Sequence, residues 1–226
     1  MNQTRLNRCL SLLFALALVL FLLTAAISLP IYARGFYYAH IDALGLPAQT
    51  GHTAAEIQDA YDQVLDYLTK PGCDFGTGVF PHSSEGADHF ADCKVLFDLN
   101  RNVLAASAVL LAVLLALRKL GKTAPYRLGH RSAAFWAAIA ALVLPIVVGG
   151  LAALNFDRAF VIFHSLFFPG KDNWLFDWYA DAIIQVLPQA FFMHCALLIG
   201  AGLLIMSLLV LLLDRCTQKA AEKRDS

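Results

Sequence analysis

The sequence predicts an all-α polytopic membrane protein: four transmembrane helices, with a small mixed, mainly helical extracytoplasmic domain between helices 1 and 2. Three observations carry this reading. The 226 residues are 59% hydrophobic and only 15% charged, with a mean hydropathy of +0.62, too apolar for one soluble core. Four apolar runs each approach the roughly 20 residues that a helix needs to cross a bilayer. Charge is balanced over the whole chain but sharply divided along it.

The first span covers residues 9–32, stops near Pro30 and leaves 1–8 as a cytoplasmic N-terminus. The second run is unbroken only from Val103 to Leu117, which at about 1.5 Å per residue falls short of the hydrocarbon thickness. Started near Val95, it gives a span over 95–117 with Asp98 and Arg101 spaced i, i+3 at the interface. The third span covers 133–155, where Pro145, Gly149 and Gly150 predict a kink or close packing. The fourth covers 191–213, followed by a tail over 214–226.

Eleven Lys and Arg (5, 8, 118, 119, 122, 127, 131, 215, 219, 223 and 224) flank the spans on one side, against three acids, Asp214, Glu222 and Asp225. The other side carries the remaining six bases and fourteen acids. Excess Lys and Arg mark the cytoplasmic face, so both termini and the 118–132 loop are expected inside. Segments 33–94 and 156–190 are then outside, which predicts a multi-pass membrane protein with both termini in the cytoplasm. A cleaved signal peptide is the rival for the first segment, but its apolar run exceeds the 7–15 residues usual for one.

In the outer domain, Thr53-Ala54-Ala55-Glu56 is a capping box. Ile57, Tyr61, Val64, Leu65 and Leu68 follow as one apolar stripe, with Asp59, Asp62 and Asp66 on the wet side. Lys70-Pro71-Gly72 ends that helix, and Phe75–Gly86 reads as a loop. A few short strands are compatible with the rest. Asp88 to Phe97 reads as helix running straight into the second span. Segment 156–190 is dense in aromatics and reads as an interfacial stretch. Within it Asp172 caps a short helix ending near Pro188, with Asp177 and Asp181 on one face at i, i+4.

Two stretches carry chemistry. In His89-Phe90-Ala91-Asp92-Cys93-Lys94, Asp92 is spaced to orient the imidazole, and Lys94 to stabilise a developing oxyanion. In Phe163-His164-Ser165-Leu166-Phe167-Phe168 a histidine stands in an apolar run. Two groups titrating near neutrality at the outer membrane rim suit proton-transfer catalysis of lipid chemistry. The bland alternatives are ordinary interface charges and an interfacial ring with a wet tip. His194 reads as a helix–helix hydrogen bond, His40, His52 and His82 as surface residues, and His130 lies on the basic side. No His-Glu-x-x-His or paired-Cys spacing points to a metal, no Gly-x-Ser-x-Gly elbow to a serine nucleophile, and no basic patch to nucleic acid. Cys9 and Cys216 fall on the cytoplasmic side and Cys195 in the fourth span. Cys73 and Cys93 fall outside, where an oxidising milieu permits a disulfide; two buried thiols are the alternative.

At these residues the chain resembles the bacterial lipoprotein intramolecular transacylase family. The resemblance runs through Thr50-Gly51-His52-Thr53 opening the helix that ends in Tyr67-Leu68, and His-x-x-Asp-x-Lys before the second span. Phe-His-x-x-Phe-Phe after the third span, Trp174, Asp177 and Leu187-Pro188-x-x-Phe191-Phe192 complete it. The family pattern usually has Val where Cys93 stands, so a Cys73–Cys93 bridge would be peculiar to this chain. The resemblance implies an acyl shift within one substrate. A diacylglyceryl-modified lipoprotein moves its sn-2 acyl chain to the α-amine of its own N-terminal cysteine, giving the lyso form. It implies His89 and His164 as the catalytic pair, with Asp92, Lys94, Asp177 and Asp181 in support. Phe163, Phe167, Phe168 and Trp174 would line a cleft for lipid, and no cofactor is required. The partners implied are lipoproteins and membrane lipids. The competing readings are a four-span disulfide oxidoreductase using Cys73 and Cys93, and a non-enzymatic membrane scaffold.

Overall fold

The computed structural model describes residues 3–225; Met1, Asn2 and Ser226, the outermost residues of the two terminal segments, lie outside them. The chain runs α1 (Gln3–Tyr32), α2 (Arg34–Ala43), α3 (Leu46–Thr50), α4 (Ala54–Thr69) and α5 (Ser84–Lys119). After the two-residue strands β1 (Arg127–Leu128) and β2 (Arg131–Ser132) come α6 (Ala133–Leu154) and α7 (Phe156–Phe167). A 3-10 helix over Ala182–Val186 precedes α8 (Gln189–Asp225). Four helices are long and apolar enough to cross a membrane: α1, α5, α6 and α8.

The described residues up to Ile27, with Arg101–Gly150 and those from Ile199 on, form one compact unit. Its core joins Phe14, Ala17, Leu18, Leu22 and Ala26 of α1 to Leu111 and Leu114 of α5, Ala133, Ala137 and Ala141 of α6, and Leu203 of α8. The alanines recur every fourth residue, and such small side chains let helix backbones approach closely. Tyr126 stacks on Phe14 at 5.0 Å and donates to the Leu114 carbonyl at 2.9 Å. The β1–β2 hairpin, with Gly129 at φ +65°, leaves no alternation to read because each strand has two residues. Gly149 and Gly150 face open space, so the close packing expected there does not occur.

The second unit comprises Ser28–Asn100 and Leu151–Leu198. Among its described residues the 33–94 region contains helices and loops and no strand. Thr53 and Glu56 form the capping box of α4, and the stripe Ile57, Tyr61, Val64, Leu65 and Leu68 is buried. It packs in one core with Tyr37 and Ile41 of α2, Phe90 of α5, and Ile183 and Val186 of the 3-10 helix. Arg34 ties α2 to α4 through Asp62 and Asp66. The Tyr37 hydroxyl reaches the Val186 carbonyl at 2.6 Å.

Helix α5 carries His89 and the second apolar run in one 36-residue helix, as expected, but starts at Ser84, inside the stretch expected as loop. A second expected feature takes another form. The helix expected from Asp172 to Pro188 is instead a series of turns ending in the 3-10 helix. Asp177 Oδ1 accepts the amides of Tyr179 and Ala180 at 2.9 and 2.7 Å, and Asp181 Oδ2 accepts the Asp177 amide at 3.3 Å. Carboxylates that capture nearby amides compete with the helical pattern.

Candidate functional site

Two elements of the second unit each deliver one buried histidine. The start of α5 is anchored by Asp181, whose Oδ1 accepts from the Ser83 amide and hydroxyl, both at 2.8 Å. The Ser83 hydroxyl in turn accepts the Gly86 amide at 2.9 Å, an N-cap contact. A Cβ on Gly86 would collide with the Asp181 carboxylate. A glycine here lets a buried acid approach the positive end of the helix. His89 follows one turn along, 5% exposed. On α7, opened by Asn155 capping the Arg158 amide at 2.9 Å, His164 is the buried residue.

The two imidazole centroids are 5.8 Å apart at 32°. Phe168 sits edge-on to His89 at 4.9 Å and tilted against His164 at 5.8 Å. Phe176 closes on His89 at 5.4 Å, and Trp174 stacks on His164 at 4.6 Å. Phe160 covers a further part of the His164 ring at 4.2 Å. The rings are thus enclosed by aromatic groups, which exclude water without competing for protons.

Each ring has a distinct polar setting. His164 Nδ1 donates to the Phe160 carbonyl at 2.8 Å. A carbonyl only accepts, so in the neutral ring the lone pair lies on Nε2. Burial pulls the His164 imidazole below its ordinary range, opposed in part by the Phe160 carbonyl. His89 Nε2 lies 3.4 Å from the Cys93 thiol one turn on, and its Nδ1 is buried without a hydrogen-bond partner.

The other expected site residues divide. Trp174 and Phe168 touch the pair directly. Phe163 meets the His164 ring edge-on at 5.4 Å, and Phe163 and Phe167 pack together at 4.7 Å on the exposed side of α7. Asp92 does not bond His89: it accepts from Lys171 Nζ and from Asn173 Nδ2 at 3.0 Å. Lys94 turns its ammonium to the Tyr67 and Lys70 carbonyls and over the Tyr67 ring at 4.4 Å. Asp181 holds the start of α5, and Asp177 holds the turn before the 3-10 helix. Cys73 and Cys93 are free thiols, the Cys93 sulfur being directed at His89 rather than at a second cysteine.

A second histidine pair lies in the same unit. His40 Nδ1 donates to the Phe36 carbonyl at 2.6 Å, and His40 Nε2 meets His194 Nδ1 at 2.9 Å. His194 therefore makes an interhelical bond, and His40 is its partner rather than a surface residue. Among the described residues no three His, Cys, Asp or Glu side chains converge as metal ligands would.

The profile of the lipoprotein intramolecular transacylase Lit family matches residues 12–192. The chain belongs to that family. It is an acyltransferase, and a membrane protein with four apolar helices. The solved structure of membrane-integral Lit from Bacillus cereus is 29% identical, with a TM-score of 0.87 over 99% of this chain and 100% of that one. Two variants of that protein, with a histidine changed to alanine or to arginine, are also similar. They are 28% and 27% identical, with TM-scores of 0.82 and 0.83, over 99% and 98% of this chain and 98% and 96% of theirs. No curated protein matches the chain.

Against the Lit family background, the residues that sequence reasoning missed are Phe160, Asn173, Phe176, Ser83 and Gly86. Phe160 carried a usable signal, because a ring four residues before His164 on an amphipathic helix lies against it. Ser83 carried a local signal as well, a serine cap bonded three residues on to Gly86; Asn173, Phe176 and the approach of Gly86 to Asp181 act across long sequence separations, and no local pattern reports them.

Proposed function

We propose that this member of the Lit family transfers the sn-2 acyl chain of a diacylglyceryl lipoprotein to the α-amine of its N-terminal cysteine, by proton transfer through His89 and His164. The observation that supports this reading is the convergence of two buried imidazoles at 5.8 Å from helices 75 residues apart at those positions. The chemistry asks for little else. An α-amine with a pKa near 8 is mostly protonated at neutral pH. It first loses one proton to solvent; one imidazole then takes a second from the nitrogen as it attacks the ester carbonyl and the N–C bond forms. The tetrahedral oxyanion collapses, the C–O bond to glycerol breaks, and the departing alkoxide receives a proton from an imidazolium. Two protons leave the ammonium nitrogen, one to solvent and one by way of the imidazoles to the glycerol oxygen, so the cycle balances. Nucleophile and ester belong to one molecule, so holding them in attack geometry supplies several kcal/mol, about 7–11 in the best cases.

The reaction belongs on the outer face of the membrane in this reading. The excess of Lys and Arg around the termini and the 118–132 loop supports a cytoplasmic position for those segments. Residues 33–94 and 156–190, which carry both histidines, are then extracytoplasmic. The exposed Phe163, Leu166 and Phe167 suit contact with acyl chains.

Transfer within one molecule has a distinctive signature. Purified enzyme is given equal amounts of an unlabelled diacylglyceryl-cysteinyl peptide and one of different peptide sequence carrying deuterated acyl chains. Mass spectrometry should find each N-acylated product with its own label. Mixed products, or acylation through another group when the α-amine is acetylated, would contradict the proposal.

A further inference from the structure

On one side of His89 lies a chain of polar groups that the reaction scheme leaves unused. Asp92, on the same helix face as His89, accepts from Lys171 and from Asn173 Nδ2 at 3.0 Å. An ionised carboxylate only accepts, so the amide nitrogen of Asn173 must face Asp92 and its oxygen must point away. The usual ambiguity between the two ends of an asparagine amide is thereby removed. That oxygen, Oδ1, is buried without a hydrogen-bond partner, and so is His89 Nδ1.

Two orphaned atoms in one buried patch ask for an explanation. Asp92, which holds the Asn173 amide, stands one helical turn from His89, although neither orphaned atom meets hydrogen-bond geometry. Catalytic hydrogen bonds in unliganded sites are often long or misaligned and tighten with substrate. The adjacent residue, Trp174, stacks on His164 at 4.6 Å. Its own Nε1 donates to the Lys171 carbonyl at 3.1 Å. Adjacent residues thus hold an amide bonded to Asp92, one turn from His89, and a ring stacked on His164.

We propose that Asn173 is a positioning residue for His89: oriented by Asp92, its Oδ1 accepts the Nδ1 proton when substrate is bound and so fixes the tautomer with the lone pair on Nε2. The inference rests on the reading of His89 as a proton-transfer residue. In the free protein Nε2 lies against the Cys93 thiol, a weak donor that an amine displaces at little cost. Without Asn173 the ring is free to carry its proton on Nε2 and offer that to the thiol sulfur, which leaves no base facing the substrate. Both histidines would then follow one rule, each anchored through Nδ1 and working through Nε2, as His164 already is.

The test uses full-length protein labelled with 15N-histidine in detergent micelles, with the His89 signals identified by their loss in His89→Gln. With diacylglyceryl-cysteinyl peptide bound, wild-type His89 should carry its proton on Nδ1. Asn173→Ala should shift the ring towards the Nε2–H form and lower kcat about 10–100-fold, the usual cost of losing an outer partner of a working group, with KM unchanged. Asp92→Asn lets the Asn173 amide turn over, so it should give a mixed tautomer and a smaller loss. Full turnover in folded Asn173→Ala overturns the proposal, as does an unchanged Nδ1–H form in that variant. If Asn173→Ala does not fold, an unchanged tautomer in Asp92→Asn overturns it. A fully active His89→Ala would instead remove the catalytic reading, and the tautomer measurement would still decide the Asn173 contact.

Discussion

His164 is a buried ring whose bond partner is a neutral carbonyl, and burial disfavours its charged form. The consequence for stability has a definite sign. The native ring titrates below its ordinary range, so on acidification through about pH 6.5 the unfolded chain binds more protons than the native one. Stability falls as pH drops through that window. The thermal midpoint in detergent should fall between pH 7 and pH 5, and His164→Gln, which has no proton to gain, should fall less. An identical pH response in the two proteins would contradict this. At this scale the sequence exposed the reactive groups: His89 and His164 stand out as neutral-range groups in apolar surroundings. It did not expose their orientation, because an imidazole's tautomer is set by whatever acceptor the fold brings to Nδ1. For His164 that is a main-chain carbonyl, which no residue identity announces.

Elements carry the histidines, and α5 depends on a contact that crosses the chain. Alanine at Gly86 gains about 1 kcal/mol of helix propensity, but its Cβ collides with the Asp181 carboxylate. Pushing Asp181 off Ser83 leaves buried polar groups unpaired, at about 1–3 kcal/mol each. The second effect wins, so Gly86→Ala should lower the thermal midpoint, by about 2–4 °C per kcal/mol in a chain of this size, and should reduce activity with it. Gly200→Ala in α8, where a Cβ meets nothing, is the control and should not destabilise. A Gly86→Ala protein as stable as wild type would remove Asp181 as the anchor. The Thr53 capping box and the α4 stripe were legible because helix starts and faces are written in spacings of three and four residues. The 172–188 segment misled the reading because Asp177 and Asp181 satisfy amides of turns, and acids spaced i, i+4 look the same whether or not a helix joins them.

The whole molecule makes a claim about sides. The charge division assigns Cys9 and Cys216 to the cytoplasm and Cys73 to the outside, and all three are free thiols. A membrane-impermeant maleimide applied to intact spheroplasts should label Cys73 alone among them, and Cys9 and Cys216 only after lysis; labelling of Cys9 before lysis would contradict the topology. The four apolar helices were readable because a bilayer imposes length and composition on anything that crosses it. The short hairpin and the choice of His40 as the partner of His194 were not, since neither repeats nor alternates.

The proposed reaction needs two imidazoles acting on one ester. A single-turnover reaction of the purified chain with a diacylglyceryl-cysteinyl peptide, read by mass spectrometry of the peptide N-terminus, tests that most directly. His89→Gln and His164→Gln should each insert and fold and should each lose about 10²–10⁴-fold in rate, the contribution of a positioned acid or base. Wild-type conversion by either variant would contradict it.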